Sequence, residues 1–264
     1  MLTKGRMQAI KSYSEKKNRN AKGVFVVEGA KSVAELLVSE LLIEELYVTH
    51  EFAKKYEKEM HAAGKRHAAV QRYLKPQFVE AGELKQMSTL EATDSALAIV
   101  KQPKAEESDP IAEAKKGIIL LLEDIRDPGN LGTIIRTADW YGVTHIYASV
   151  GTVDVYNNKT IIGSMGSFAR VPVTYGDIRP IIENLNNNKI DTIASVLNGD
   201  NSHEFVWPAC GALLIGNEAN GLTENTLKLV GNAVTIPSFG KAESLNAAIA
   251  AGVLLDEWRG SLKK

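Results

Sequence analysis

Three separated segments of the chain combine small residues with polar side chains that could bind a ligand or take part in a reaction. They span residues 127–138, 214–222 and 236–248, and the chain before each of them contains an apolar run of strand length. In open α/β sheets, ligands bind at the edge formed by the carboxyl ends of the strands. The sequence therefore predicts that the three segments meet in one binding site.

The side chains in these segments that could do chemistry are amides, a carboxylate, a hydroxyl and a guanidinium: Asn130, Arg136, Glu218, Ser244 and Asn246. Each also has an ordinary structural interpretation. Asn130 and Ser244 could be helix N-caps, Glu218 could be a solvated loop charge, and Arg136 could pair with Asp139 on the same helix. Because all five residues occur together at these spacings, a shared functional site is favoured over five separate structural roles.

Two common nucleotide motifs and a metal site are not supported. No Gly-x-Gly-x-x-Gly follows the first strand of the second half, which disfavours a dinucleotide site. Residues 216–223 resemble a phosphate loop, but Leu222 stands near the position of the required lysine and Glu218 would repel phosphate. The five histidines have no ligand partners at a recognised metal spacing, so we expect no metal.

The second half of the chain alternates strands and helices, which is typical of a wound α/β domain with a mostly parallel sheet. The all-apolar run Ile118–Leu122 indicates a strand buried on both faces. Further strands are predicted at 145–150, 171–174, 191–196, 212–215 and 233–236, and helices at 130–141, 157–168, 178–187, 224–230 and 244–258.

The first half predicts a smaller α/β domain. Strands are expected at 24–28, 46–49, 70–74 and 96–100, with helices at 30–39 and 52–63. Seven Lys or Arg residues between Lys4 and Lys22 are opposed only by Glu15, so this segment is either a solvated helix face or a nucleic-acid contact. The polar stretch 103–116 predicts a linker, which divides the chain into domains at 1–102 and 117–264.

Composition limits the possible locations of the protein. The net charge is −1, so any nucleic-acid contact requires a local basic patch. No apolar run approaches the roughly 20 residues that span a bilayer, and the basic N-terminus is not followed by the apolar core of a secretory signal. With a single cysteine, Cys210, the chain fits a reducing compartment. We expect a cytoplasmic protein without membrane contact.

The three segments resemble the motifs of the SpoU (TrmH-type) RNA ribose methyltransferases. The family pattern Asn-x-Gly-x-x-x-Arg-Thr-Ala recurs from Asn130 to Ala138, and Gly-x-Glu-x-x-Gly-Leu recurs from Gly216 to Leu222. Ile-Pro, a nearby Gly and Ser-Leu-Asn recur between Ile236 and Asn246. A weaker similarity over 24–100 resembles the substrate-binding domain that many relatives carry.

The resemblance implies transfer of a methyl group from S-adenosylmethionine to a ribose 2′-hydroxyl of RNA. It implies ribosomal RNA first and transfer RNA second, with a catalytically inactive RNA-binding module as a further alternative. The family's arginine at the position of Arg136 has been proposed as a general base. A guanidinium is almost always protonated, however, so a clamp on the RNA phosphate suits Arg136 better.

The resemblance also implies which residues bind the cofactor, how the chain is threaded and how it assembles. A cofactor cleft is expected to be lined by Leu197, Gly199, Gly216, Asn217, Ile236, Ser244 and Leu245. The family ties its C-terminal segment into a trefoil knot, whereas threaded chains are otherwise exceptional. Its members form homodimers through the last helix and the Asn130 helix, so a homodimer is expected here.

Overall fold

A computed structural model describes residues 2–69, 74–89, 95–103 and 108–262 of the 264-residue chain. Its α-helices are α1 Lys4–Ser12, α2 Lys16–Lys22, α3 Ala30–Val38, α4 His50–Lys55, α5 Glu57–Ala69, α6 Ala81–Met87, α7 Pro110–Lys116, α8 Pro128–Trp140, α9 Asn158–Ser164, α10 Arg179–Asn187, α11 Glu224–Leu227 and α12 Ala247–Ser261. Its strands are β1 Val24–Glu28, β2 Ile43–Val48, β3 Pro76–Phe78, β4 Ala96–Lys101, β5 Ile118–Leu122, β6 His145–Ala148, β7 Val173–Tyr175, β8 Thr192–Asn201, β9 Gly211–Ile215 and β10 Asn232–Thr235.

The chain forms two compact units, of which the first comprises Met1–Glu106 and Tyr156–Ala169. Its sheet has the order β1-β4-β2-β3, with antiparallel β1–β4 and β2–β4 pairs and a parallel β2–β3 pair. Successive side chains of a strand point to opposite faces. Accordingly, Phe25 and Val27 pack with the helix residues Val33 and Leu36, while Val24 and Val26 pack in a separate cluster with residues of α1 and α6.

The second unit, Glu107–Val155 and Arg170–Lys264, contains a parallel sheet of order β10-β8-β9-β5-β6-β7. The five residues of central β5 are fully buried, as expected for a parallel strand covered on both faces. Ala114 of α7 and Ile182 of α10 pack on Ile119 and Leu121. Because every neighbouring pair is parallel, the carboxyl ends of the strands share one edge, hereafter the carboxyl edge.

The structure differs from the predicted domain boundaries in two places. Residues 110–116, predicted as linker, form α7, because Asp109 caps the helix, Pro110 occupies its first turn and Ala114 is buried. Tyr156–Ala169 belongs to the first unit although it lies far along the chain. The reason is packing: Ile161 and Phe168 join the apolar core of that unit.

Several predicted element bounds also change. The predicted helix 52–63 is two helices, α4 and α5, and the predicted strand 70–74 falls mostly outside the described residues. The basic N-terminal segment forms α1 and α2. Among the helices of the described ranges, none has the length and apolar character required to cross a bilayer.

Candidate active site at the carboxyl edge

A chain of side-chain hydrogen bonds joins the three motif segments. Asn130 Nδ2 donates to Glu218 Oε1 at 2.5 Å, and Asn246 Nδ2 donates to Asn130 Oδ1 at 2.8 Å. Each bond links residues 88 or 116 positions apart in sequence. Three of the five predicted catalytic residues are therefore in direct contact, as the motif spacing predicted.

The local caps explain why these amides are available. Asp127, rather than Asn130, caps α8 and accepts from the Asn130 backbone N–H at 2.8 Å, with Pro128 in the first turn. Asn130 lies inside the helix, and this corrects the N-cap interpretation. Likewise Asn246, not Ser244, caps α12, and its Oδ1 accepts from Ala248 N at 2.9 Å. Because the capping uses only Oδ1, Asn246 Nδ2 remains able to reach Asn130.

The loop after β9 is a tight turn that requires small residues. Asn217 and Gly221 exchange both backbone hydrogen bonds, at 3.1 and 2.9 Å, and Asn217 Oδ1 accepts from Ala219 N and Asn220 N. Gly221 has φ 65°, a conformation that glycine adopts without steric cost. A Cβ on Gly216 would lie 2.3 Å from the Gly221 carbonyl carbon, so no side chain fits there. The turn therefore presents Glu218 and backbone groups at the carboxyl edge.

Two acidic residues that the motifs did not single out anchor this loop to the end of β5. The Glu123 carboxylate accepts from Thr223 N at 2.8 Å, Thr223 Oγ1 at 3.0 Å and Thr226 Oγ1 at 2.7 Å. The Asp124 carbonyl accepts from Asn217 Nδ2 at 2.8 Å. Charged residues directly after an all-apolar buried strand are the sequence signal that could have identified both.

The predicted cofactor residues follow neighbouring strands of the sheet. Leu197 and Gly199 lie in an irregular excursion of β8, where the pairing with β10 jumps from Ala194 to Asp200. Thr235 Oγ1 donates to the Leu197 carbonyl at 3.0 Å, and a Cβ on Gly199 would lie 2.7 Å from the Ala233 oxygen. Gly216, Asn217 and Ile236 come directly after β9 and β10. These residues therefore share the carboxyl edge with Asn130.

Three predicted site residues lie at the surface outside the hydrogen-bond chain. Arg136 is exposed on α8, six residues beyond Asn130, and has no hydrogen-bond or ion-pair partner among the described residues. Ser244 is exposed in the loop before α12, and Leu245 is 47% exposed. The expected pairing of Arg136 with Asp139 is absent, because Asp139 instead pairs with Arg170 at 2.8 Å. The Arg136 guanidinium is thus available to a ligand.

A cavity of about 480 Å³ lies elsewhere in the second unit. It is lined by Asp191, Asp200, Asn201, Glu204, Phe205, Val206, Pro208 and Asn232, and none of the predicted site residues contributes to it. Its three carboxylates would repel the phosphates of RNA. Within the described ranges, no three His, Cys, Asp or Glu side chains are grouped so that they could hold a metal ion.

A parallel α/β sheet with a polar network across three loops at its carboxyl edge defines a ligand-binding enzyme domain of the wound class. The model of the SpoU rRNA Methylase family matches residues 117–256, and that of the MRM3-like substrate binding domain matches residues 4–98. The chain belongs to the SpoU rRNA methylase family.

Similarity to known proteins extends over nearly the whole chain. The 23S rRNA (guanosine(2553)-2′-O)-methyltransferase RlmP of Bacillus subtilis is 29% identical over 257 residues, which is 96% of each chain. A putative RNA methyltransferase of the TrmH family from Porphyromonas gingivalis superposes with a TM-score of 0.82 and 30% identity, covering 98% of this chain and 99% of the other. An AdoMet-bound rRNA methyltransferase from Sinorhizobium meliloti gives 0.80 and 26%, with 99% and 97% covered.

Proposed function

We propose that this protein transfers a methyl group from S-adenosylmethionine to a ribose 2′-hydroxyl in ribosomal RNA. The observation that carries the proposal is the hydrogen-bond network Glu218–Asn130–Asn246, which joins the three motif segments of a SpoU family member. Similar proteins named as rRNA 2′-O-methyltransferases, RlmP among them, support ribosomal RNA as the substrate.

The cofactor is assigned to the irregular excursion of β8 and to the loops after β9 and β10. Gly199 and Gly216 let the β8 excursion and the loop after β9 pack tightly on neighbouring backbone, which fixes the shape of this edge. The exposed Leu197 and Leu245 offer apolar surface for a purine ring. When bound there, S-adenosylmethionine would supply a methyl group on a sulfonium cation, and the methyl would pass to the ribose O2′ with S-adenosylhomocysteine as the leaving group. The negative charge of Glu218 favours binding of that cation near the hydrogen-bond network.

The polar residues then position the ribose. Asn130 and Asn246 hold the loops in register, so that O2′ can lie opposite the methyl carbon, and Ser244 adds a hydroxyl beside the cofactor loop. Arg136 binds the adjacent RNA phosphate, because its guanidinium offers a bidentate fork and stays protonated. The hydroxyl proton is released at this solvent-open edge. Orientation alone can supply a large share of the acceleration.

We further infer a homodimer that works in the cytoplasm, with the C-terminal segment threaded as a trefoil knot. Trp140 on α8 is 84% exposed and Ile249 on α12 is 53% exposed, while α8 and α12 pack against each other. Trp258, by contrast, is fully buried and donates to the Pro208 carbonyl at 2.7 Å, so it belongs to the core of the unit. Light scattering of the purified protein tests the dimer.

The function is tested by incubating the purified protein with methyl-tritiated S-adenosylmethionine and either deproteinised ribosomal RNA or transfer RNA. We expect label in ribosomal RNA, at a nucleotide whose 3′ phosphodiester resists alkaline cleavage because its 2′-oxygen is methylated. Label only in transfer RNA would move the activity to that substrate. RNA binding without any label would leave an RNA-binding module and overturn the enzymatic proposal.

A further inference from the structure

Asp124 adopts a backbone conformation that is uncommon for a residue with a side chain. Its φ is 59°, and two hydrogen bonds fix it: the amide donates to Ser149 Oγ at 2.9 Å and the carbonyl accepts from Asn217 Nδ2 at 2.8 Å. A Cβ on Gly151 would lie 2.5 Å from Asp124 Oδ1, so glycine leaves the space that the carboxylate occupies. Such conformations persist where the surroundings over-determine them, often at functional sites.

The fixed Asp124 carboxylate binds one edge of the Arg126 guanidinium, the edge formed by Nε and Nη2. Arg126 Nε donates to Asp124 Oδ1 at 3.1 Å, and Nη2 lies 2.9 Å from Oδ2. A guanidinium has five N–H donors, so three of them, including both on Nη1, point away from Asp124. The Arg126 side chain is 71% exposed, and the pair keeps the pKa of Arg126 above its ordinary value. Asp124 therefore orients a permanent cation with an unused donor fork.

This pair contributes little to the stability of the fold, because exposed ion pairs are screened by solvent. Its position is more informative: Arg126 directly precedes Asp127, the cap of the helix that carries Asn130. Arg126 and Arg136 are the only cationic side chains between Gly117 and Trp140, where four carboxylates are also present. Within the segment that carries Asn130, an RNA backbone would find its favourable charges at these two arginines.

We propose that Arg126 is a second phosphate-binding residue for the RNA substrate, held ready by Asp124. The inference rests on the proposed function and adds a positioning arrangement to it. Arg136 has no partner among the described residues, whereas Arg126 is oriented in advance by Asp124. The same residue, Asp124, bonds to Asn217 of the predicted cofactor loop, so the orientation of Arg126 depends on that loop being intact.

The experiment measures RNA binding at several salt concentrations in the presence of S-adenosylhomocysteine, together with kcat and KM for methyl transfer. The variants are Arg126→Gln, Arg126→Lys and Asp124→Asn. The control is Lys116→Gln, at the opposite end of β5. Lys116 is 63% exposed and pairs with Glu113 at 2.7 Å, so this control also removes one exposed, acid-paired cation.

We expect Arg126→Gln to weaken RNA binding roughly tenfold, the loss of one charged hydrogen-bond pair. The slope of log affinity against log salt should fall by about one, the signature of a lost phosphate contact. Arg126→Lys and Asp124→Asn both keep a cation at position 126 but lose its fixed orientation, so they should keep the slope while raising the KM for RNA. Lys116→Gln should match the wild type in both measurements.

An Arg126→Gln variant with wild-type affinity and salt slope overturns the inference, provided that the wild type methylates RNA. The inference is also overturned if Arg126→Gln lowers the melting temperature and weakens cofactor binding along with RNA affinity. Arg126 would then stabilise the fold and have no direct role in RNA binding. Failure of the wild type itself to bind or methylate RNA is a different result, and it removes the proposed function.

Discussion

Two groups of polar residues in the parallel-sheet unit differ in how exposed they are and in where their hydrogen-bond partners lie. At the carboxyl edge, Asn130, Glu218 and Asn246 are partly or fully exposed and bond to residues from distant segments. On β6 and β7, His145 is 5% exposed, stacks on Tyr147 at 4.4 Å and contacts Thr174 Oγ1 at 2.9 Å through Nε2. The first group is placed to meet a ligand, whereas the His145 imidazole finds its stacking and hydrogen-bond partners inside the fold.

The difference teaches that burial, more than residue type, separates function from structure in this unit. Substitutions of the exposed polar side chains at the carboxyl edge should reduce methyl transfer while leaving the melting temperature nearly unchanged. Substitutions in the His145 cluster should affect stability and its pH dependence while leaving the chemistry intact. The following changes test this contrast.

The largest effect on activity is expected for Asn130→Ala, which removes the bonds to Glu218 and Asn246 together. Loss of register between the three loops misplaces the reacting groups, and a misplacement of about 1 Å costs roughly 100-fold in rate. Single-turnover methylation of ribosomal RNA measures the loss. Thr133→Ala on the same helix is the control, because Thr133 bonds only locally, to the Gly129 carbonyl at 2.9 Å. Equal rates for both variants would contradict the role of the network.

A smaller loss is expected for Gly216→Ala, through cofactor binding. The added Cβ would press on the Gly221–Leu222 backbone, 2.3 to 2.6 Å away, so the turn must shift. Overpacking of this kind costs about 1–3 kcal/mol of folding free energy. Because the shifted turn misplaces its backbone groups, cofactor affinity should fall roughly tenfold, the equivalent of one lost hydrogen bond. Calorimetry with S-adenosylmethionine measures it. Gly176→Ala is the matched control, since a Cβ there meets nothing within 4 Å. Unchanged affinity in Gly216→Ala would place the cofactor elsewhere.

Arg136→Lys should lower RNA affinity roughly tenfold, because an ammonium keeps the charge but loses the bidentate fork. The salt dependence should stay at the wild-type slope, since the number of neutralised phosphates is unchanged. Turnover at saturating RNA should fall less than affinity if Arg136 is a clamp. A variant with wild-type affinity and turnover would exclude both the clamp and the general-base role.

Much of the fold follows from the sequence, because local signals are strong in the buried strands. The apolar run of β5 predicts its observed bounds, Ile118–Leu122, and the β9 and β10 predictions lie within one residue of the structure. The sequence specifies helix starts less well, since both Asp127 and Asn130 are suitable N-caps. Pro128 favours Asp127 as the cap of α8, because proline is common in the first turn of a helix. The signal of Asp109 followed by Pro110 similarly marks α7 within the predicted linker.

Sequence patterns alone did not predict most contacts between residues that are distant in sequence. Nothing local links Tyr156–Ala169 to the first unit, because the assignment depends on Ile161 and Phe168 fitting a core built from residues 25–100. The motif resemblance grouped Asn130, Glu218 and Asn246, but Glu123 and Asp124 belong to no motif and were missed. Their position after a buried strand was a usable signal, but their hydrogen-bond partners follow only from the folded loop.

The smallest effect is expected at the buried cluster, where His145 should make stability depend on pH. Burial lowers the pKa of His145 below its usual value, although Glu113 acts in the opposite direction. The unfolded chain, with a histidine pKa of about 6.5, then binds the proton more readily than the folded protein does. The folded protein therefore keeps its full stability above about pH 6.5. Its free energy of unfolding decreases as the pH falls from there towards the lowered pKa of His145.

Melting temperatures at pH 7.5 and 5.5 test this expectation. The decrease on acidification should be smaller in His145→Gln, whose side chain does not titrate, than in the wild type. His61→Gln is the control, because His61 is exposed and its replacement should leave the decrease unchanged. If His145→Gln retained the full decrease, the cluster would not control acid sensitivity. If it instead lost methyl transfer at pH 7.5, the separation between a functional edge and a structural interior would fail.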